Sequence, residues 1–347
     1  MDLHHSSLMN RIYVLHENST WVEPLRAAFE TQGLPYHEWF LDEGIVPFDQ
    51  APPEGVFYNR MSASSHTRGH RYGPELTHLV LNYLESYGRR VVNNSRALSL
   101  EISKLAQYAA LKRAGIQTPR TVAAVGHDPV LTAARAFGSG PFILKPNRGG
   151  KGLGVQRFAS VEAVAAYLDG PALAPPIDGV WLVQQYVQAP EPFIVRCEFV
   201  GGRFLYAVRV DTSEGFELCP ADACQTNGAA TQAPRADKFT IIDDFDDHPI
   251  LETYQHFLKA NGIEVAGIEF IIDRAGEIWT YDVNTNTNYN AEAEARAGVP
   301  LTGMEAIAQF LGSALRAVEW ADRTALHRPA GRTKPLRTPL ATEPARS

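Results

Sequence analysis

The sequence predicts an α/β (α+β) protein assembled from more than one subdomain. Three observations carry this. Residues 11–94 alternate short apolar strands with amphipathic helices, the pattern of a mostly parallel sheet. Pro141–Val155 (PFILKPNRGGKGLGV) reads as strand, glycine-rich loop and strand. Further on, two pairs of apolar runs meet at the turn signals Gly201-Gly202 and Asp273-Arg274-Ala275-Gly276, as hairpins do. At 347 residues the chain exceeds one ordinary domain, and 45% hydrophobic content suffices for a sizeable core.

Composition narrows the function classes. The net charge is −7 with no block of one sign, so neither nucleic acid nor an anionic membrane is an expected partner. Cys197, Cys219 and Cys224 are too few for a disulfide framework, and no Cys/His pair completes a zinc pattern. No apolar run approaches the roughly 20 residues that cross a bilayer. The N-terminus, MDLHHSSLMNR, lacks the apolar core of a signal peptide. A soluble, cytoplasmic protein is expected.

In order, Ile12–Leu15 is a buried strand. Ser19 or Thr20 caps a helix that buries Trp21, Val22, Leu25, Ala28 and Phe29 and stops at Gly33. Strands follow at His37–Phe40 and Val56–Asn59. A helix after Pro74 turns Leu76, Leu79, Val80, Tyr83, Leu84 and Tyr87 inward and stops at Gly88; Arg90–Asn93 is a further strand. Tyr58–Arg71 leaves the third strand and is unusually polar. Ligands of open α/β sheets bind beyond the carboxyl ends of strands, so Arg60, Ser62, Ser65, His66 and Arg68 are candidates for holding an anionic substrate. The alternative is a solvated loop. Leu98–Gly115 reads as one helix with Leu100, Leu105, Tyr108 and Leu111 inward and Lys104 on its surface.

The glycine-rich loop is neither a P-loop nor a dinucleotide fingerprint, because Val155–Phe158 continues as a strand. Its glycines let backbone N–H groups crowd around phosphate oxygens, and Lys145 beside it supplies a point charge. A mobile hairpin tip is the plainer reading. Trp181–Val187 is a buried strand. In the next hairpin, pairing Val200 with Arg203 places Arg196 and Arg209 as diagonal neighbours on one wet face. Two guanidinium groups there repel unless an anion lies between them. Otherwise they are solvated, with Glu198 as partner. Residues 211–238 form a long irregular segment, of a kind usually functional or disordered. His248–Asn261 and Thr302–Trp320 are helices, and 322–347 reads as a disordered tail.

In the last hairpin, pairing Ile272 with Glu277 sorts two faces. Ile268, Phe270, Ile272, Trp279, Tyr281 and Val283 form an apolar back. Glu269, Thr280, Asp282 and Asn284 share the other face, with Glu269 opposite Thr280. Two carboxylates and an amide oxygen are hard ligands suited to Mg²⁺, unless this is simply a wet hairpin face.

The order of these pieces resembles the ATP-grasp superfamily, and within it the RimK-like carboxylate–amine ligases, over roughly Ile12–Trp320. The resemblance is carried chiefly by FILKPNRGGKGLGV and GIEFIIDRAGEIWTYDVN. It implies an ATP-grasp fold preceded by a Rossmann-like domain: 11–94 on the substrate side, 95–187 with the linking helix and lid, 188–321 with the metal site, and 322–347 as tail. It implies that Lys104 and Lys145 contact ATP phosphates. Gly149, Gly150, Lys151, Gly152 and Gly154 match the loop that closes over them. Gln184, Gln185, Tyr186 and Val187 match the hinge that reads adenine. Arg196 and Arg209 match arginines facing the transferred phosphate, and Glu269, Asp282 and Asn284 match the ligands of two Mg²⁺ ions, with Mn²⁺ as a substitute.

The chain departs from the pattern in several places. Gln185 and Ile194 stand where acids are usual, which leaves Glu191 for the ribose. Glu269 and Asp282 exchange the usual side-chain lengths. Thr285–Asn290 replaces a Ser-Pro-Gly turn beside the acceptor site, so Asn286 and Asn288 are substrate candidates with Arg60, Ser62, His66 and Arg68.

The implied activity is an ATP-dependent, ADP-producing ligase that forms an amide through an acyl phosphate on small-molecule carboxylate and amine substrates such as amino acids or small peptides. One alternative acceptor is a ribosomal peptide or carrier protein; a different class is a non-catalytic ATP-binding regulatory module. His66 or the Asp222 segment could deprotonate the amine. Related enzymes are often homo-oligomers.

Overall fold

A computed structural model describes residues 10–326 other than 139, 214 and 216–237. Its first sheet has four strands, all parallel, in the order β2-β1-β3-β4. It is built from β1 (Arg11–His16), α1 (Ser19–Thr31), β2 (Tyr36–Phe40), β3 (Gly55–Asn59), α2 (Gly73–Ser86) and β4 (Arg90–Val92). Asn18, one residue before the expected caps, closes α1 by accepting from the Trp21 N–H. On α2 the buried stripe is Thr77, Val80, Leu81 and Leu84, at i, i+3, i+4 and i+7. Leu79 and Tyr87, expected inward, fall off that stripe and are exposed.

The single helix expected over 98–115 is two, α3 (Ser95–Glu101) and α4 (Lys104–Arg113). Ser103 caps α4, and Asn147 accepts the backbone N–H groups of Lys104 and Leu105 through its carbonyl and side chain. These bonds satisfy the first-turn donors of a new helix, so the chain restarts rather than continues. The restart turns Leu105 to solvent and sets Lys104, expected at the surface, as a buried first residue of α4.

A second, antiparallel sheet has the order β5-β8-β6-β7. It comprises β5 (Thr121–Ala124), α5 (His127–Arg135), β6 (Phe142–Pro146), β7 (Gln156–Phe158), α6 (Val161–Leu168) and β8 (Trp181–Gln185). Its core joins Val130 and Ala134 of α5 and Val164 of α6 to Phe142, Leu144 and Val183.

The third sheet, order β11-β10-β9-β12-β13, is antiparallel throughout. Its elements are β9 (Phe193–Val200), β10 (Arg203–Asp211), β11 (Phe239–Ile242), α7 (Ile250–Ala260), β12 (Val265–Ile272), β13 (Ile278–Asn284), α8 (Ala291–Ala297) and α9 (Gly303–Leu326). One face packs on α3, α4 and α7 through Leu100, Tyr108, Tyr254 and Phe257. The other shares a continuous core with α9 and the parallel sheet, joining Val208 and Val210 to Ile307, Leu311, Ile12 and Val56.

Two bulges correct the uniform registers expected of the hairpins. In β10 the pairing passes from Phe199↔Phe204 to Glu198↔Tyr206, leaving Leu205 extra. In β12–β13 it passes from Phe270↔Thr280 to Glu269↔Asp282, leaving Tyr281 extra. One extra residue flips every side chain beyond it to the other face. Nearer the turn, Ile272 pairs with Ile278 and not with Glu277 as expected, which sets Thr280 opposite Phe270 on the core side, where it bonds Tyr254 at 2.6 Å; the bulge then turns Tyr281 outward and brings Asp282 opposite Glu269.

Cys197 is buried. Cys219, Cys224 and Asp222 lie outside the described residues, as does most of the 211–238 segment. Of the tail, 322–326 continue α9 and 327–347 lie outside. Among the described residues no helix is long and apolar enough to cross a membrane.

Candidate active site

A cleft of about 480 Å³ opens between the second and third sheets and the loop after β3. Its floor is the far half of the β12–β13 hairpin. Glu269 lies directly opposite Asp282, with Asn284 two residues on. Asn284 Nδ2 donates to Glu269 Oε1 (3.1 Å) and the Tyr281 hydroxyl to Oε2 (2.9 Å). Burial, and then the charge of Asp282, raise the Glu269 carboxyl above its ordinary range.

Two lysines reach this floor. Lys104 is ion-paired with Asp282. Burial alone lowers Lys104, but Asp282, Tyr108 and Glu101 together outweigh it and hold the ammonium above its usual value. Lys145, from the end of β6, donates to the Tyr108 hydroxyl at 2.7 Å. Burial, and then Lys104 beside it, lower Lys145 to about 7. Arg196 of β9 stands behind Glu269 at 3.6 Å and pairs with Glu198 at 2.7 Å. Burial, with Glu269 nearby adding to it, pushes Glu198 up to about 7, against the pull of Arg196. The backbone passes Arg196 closely at Gly267, where a Cβ would come within 2.5 Å of Nε.

The roof is the loop after β6. Gly149, Gly150, Lys151 and Gly152 line the cleft; Gly154 does not. Lys151 takes φ 61° and sets its Nζ 4.5 Å over the Trp21 ring of α1. Arg148 pairs with Glu75 at 2.7 Å, so the loop rests on the parallel-sheet domain. Gln184, Gln185, Tyr186, Val187 and Glu191 line the far end beside the apolar side chains of Ile143, Ile194 and Ile271. Gln184 donates to Thr121 Oγ1 (2.8 Å), and Gln185 accepts from the Arg120 N–H (3.1 Å).

Several expected contacts are not formed. The β10 bulge puts Arg209 on the opposite face from Arg196, opposite Val195. There Arg209 is half-exposed, pairs with Glu191 at 3.0 Å and stacks on Phe193, so the expected arginine pair around an anion does not exist. Of the loop after β3, Ser62 lines the cleft, but Arg60, His66 and Arg68 do not. Arg60 is buried behind Asn286 and Asn288, which do line it. Arg68 is held by both oxygens of Glu17 and lies over Trp21. His66, partly buried, is lowered by burial.

Sequence reasoning missed Tyr281, Ser64, Trp21 and Glu101, all in the cleft wall. Glu101 bonds the Thr285 N–H at 2.7 Å and the Ala63 N–H at 3.4 Å. An acid on the otherwise apolar inner face of α3 is the one signal that could have found it.

The ensemble of a parallel sheet, a lidded antiparallel sheet and a second antiparallel sheet closing a cleft is the ATP-grasp fold. A RimK domain ATP-grasp protein from Sphaerobacter thermophilus DSM 20745 shares it at TM-score 0.58 and 18% identity, over 86% of this chain and 98% of that one. In sequence the chain is similar to probable alpha-L-glutamate ligases. The one from Teredinibacter turnerae (strain ATCC 39867 / T7901) is 31% identical over 137 residues, 39% of this chain and 44% of the relative. The match thus spans less than half of that relative's length. The one from Xanthomonas campestris pv. campestris (strain 8004) is 25% identical over 260 residues, 74% of this chain and 78% of the relative. No family model matches the chain.

Proposed function

We propose that the chain is an ATP-dependent carboxylate–amine ligase acting on an amino acid or small peptide, releasing ADP and phosphate. The observation that carries this is the convergence, in one cleft, of two buried lysines, a glycine-rich roof, and two opposed carboxylates with an amide. The division of labour is a proposal too: 11–94 faces the substrate, 95–187 carries the roof, and 188–321 carries the acidic floor.

Lys104, Lys145 and the roof loop hold the ATP phosphates. Gln184–Val187 and the isoleucines hold the base, and Glu191 the ribose. Glu269, Asp282 and Asn284 fit Mg²⁺, since hard oxygens are its ligands and the two carboxylates face each other directly on the cleft floor beside the amide. Bound there, Mg²⁺ supplies positive charge to the phosphoryl group in flight. The substrate carboxylate attacks the γ-phosphorus and ADP leaves. Arg196 and Lys145 offset charge on the transferred oxygens. The amine then attacks the acyl carbon, and phosphate leaves with one former carboxylate oxygen. The closed roof keeps water from the acyl phosphate.

The test is ADP release against a matrix of amino acids and glutamyl peptides, with Mg²⁺ present and absent, and mass spectrometry of the product. An amide formed with matched ADP release supports the reading. ATP bound without turnover for any pair favours a regulatory module, and a product formed only on a peptide substrate favours the peptide-modifying alternative.

A further inference from the structure

Behind the acidic floor, Thr285–Asn290 is pinned at alternate residues. Thr285 bonds Glu101 through its N–H and hydroxyl, and the Thr287 hydroxyl bridges Arg196 and Glu198. Asn286 and Asn288 face the cleft and are held from behind by Arg60. Arg60 Nε donates to Asn286 Oδ1 (3.1 Å), and Nη2 donates to Asn288 Oδ1 (2.8 Å) and the Thr287 carbonyl (3.1 Å). A guanidinium donates and never accepts, so each amide oxygen must point at Arg60. That turns each Nδ2 away from Arg60, on residues that line the cleft. Neither Nδ2 has a hydrogen-bond partner among the described residues. Ser62 and Ser64, whose hydroxyls bond each other at 2.9 Å, leave one hydroxyl proton for the same wall. Its acid, Glu101, is already engaged, Oε1 by the Ala63 N–H and Oε2 by Thr285.

This wall offers donors to a ligand and no unengaged carboxylate. We infer that Arg60 is a positioning residue, and that the two amide groups it orients recognise carboxylate or carbonyl oxygens of the acyl-donor substrate, not the amine. The inference rests on reading the cleft as a ligase site. It also explains why a buried arginine sits behind two asparagines: reversing either amide would set donor against donor.

The experiment is calorimetric titration of the full chain, loaded with Mg²⁺ and a non-hydrolysable ATP analogue, with L-glutamate, L-aspartate and L-glutamyl-L-glutamate. At least one should bind the wild type. Asn286→Asp and Asn288→Asp keep the oxygen that Arg60 holds but replace the cleft-side donor with an acceptor. Each should weaken carboxylate binding by about 10- to 100-fold, the scale for losing a hydrogen bond to a charged group, and leave the analogue's affinity unchanged. Arg60→Lys, which replaces the fork with a point donor, should weaken carboxylate binding in the same way. A purely structural role predicts that the two Asp substitutions leave carboxylate binding intact. That result, or a wild type that binds none of the three carboxylates, overturns the inference. Carboxylate binding by a chain that releases no ADP when ATP replaces the analogue, for any amine tried, would instead contradict the ligase reading and leave the recognition assignment standing.

Discussion

Glu269 and Asp282 face each other directly across the β12–β13 hairpin, because the bulge at Tyr281 advances one strand by a residue. Lys104 meets one acid and Arg196 approaches the other. The floor thus holds opposed charges in a place shielded from water, where they interact strongly.

Asp282→Asn removes one of those charges but leaves an oxygen for Lys104. It should lower kcat by about 10²–10³-fold, the scale for one electrostatic stabiliser, with the fold retained. Steady-state ADP release, with circular dichroism as the control for folding, checks this. An unchanged kcat removes Asp282 from the chemistry.

Lys145 gives a pH signature. Its folded value is lowered to about 7, below the ordinary lysine value of about 10.4. Between those two values the unfolded chain binds more protons, so the cost of holding Lys145 is complete below pH 7 and fades as pH rises towards 10. A polyphosphate beside Lys145 favours the ammonium, so nucleotide binding near pH 8 should take up about one proton. Calorimetry in buffers of different ionisation heat measures it. Lys145→Met should abolish the uptake, and proton release by the wild type would contradict the assignment.

Gly267→Ala should act on Arg196 without touching it in sequence. The added methyl would meet the guanidinium within 2.5 Å and force it from Glu269. The expected result is a fall in kcat approaching that of Arg196→Ala, about 10²-fold, with KM for ATP preserved. Kinetics of the two variants side by side decide it; a wild-type kcat for Gly267→Ala would show that Arg196 need not be held there.

The roof loop rests on Trp21 through Lys151. Such a contact is worth about 0.5–1 kcal/mol, so Lys151→Ala should speed hydrogen exchange over 148–155 by about 2- to 5-fold in the nucleotide-free protein. Exchange unchanged by the substitution would mean that other contacts hold the loop.

Much of the fold was legible because its signals are local. The parallel strands of 11–92, the Gly201-Gly202 turn and the strand–glycine–strand unit each declare themselves within about ten residues. The two bulges did not, since one extra residue leaves hydrophobic alternation almost intact while reversing a face. That is why Arg209 was expected beside Arg196; Thr280 was expected beside Glu269 because the expected turn is one residue short, Ile272 pairing with Ile278 and not Glu277. The break between α3 and α4 was hidden likewise, because it depends on Asn147, which lies 44 positions from Ser103. Arg60 stood out as a polar residue after a strand, but its partners come from over 220 positions away. Only in the folded chain does Arg60 lie behind Asn286 and Asn288 rather than in the cleft wall.

The most direct measurement follows oxygen. With the carboxylate substrate labelled with ¹⁸O, attack on the γ-phosphorus and later loss of phosphate should carry one labelled oxygen into inorganic phosphate, with ADP unlabelled. Phosphate free of label, or AMP and pyrophosphate as products, would contradict a ligase working through an acyl phosphate.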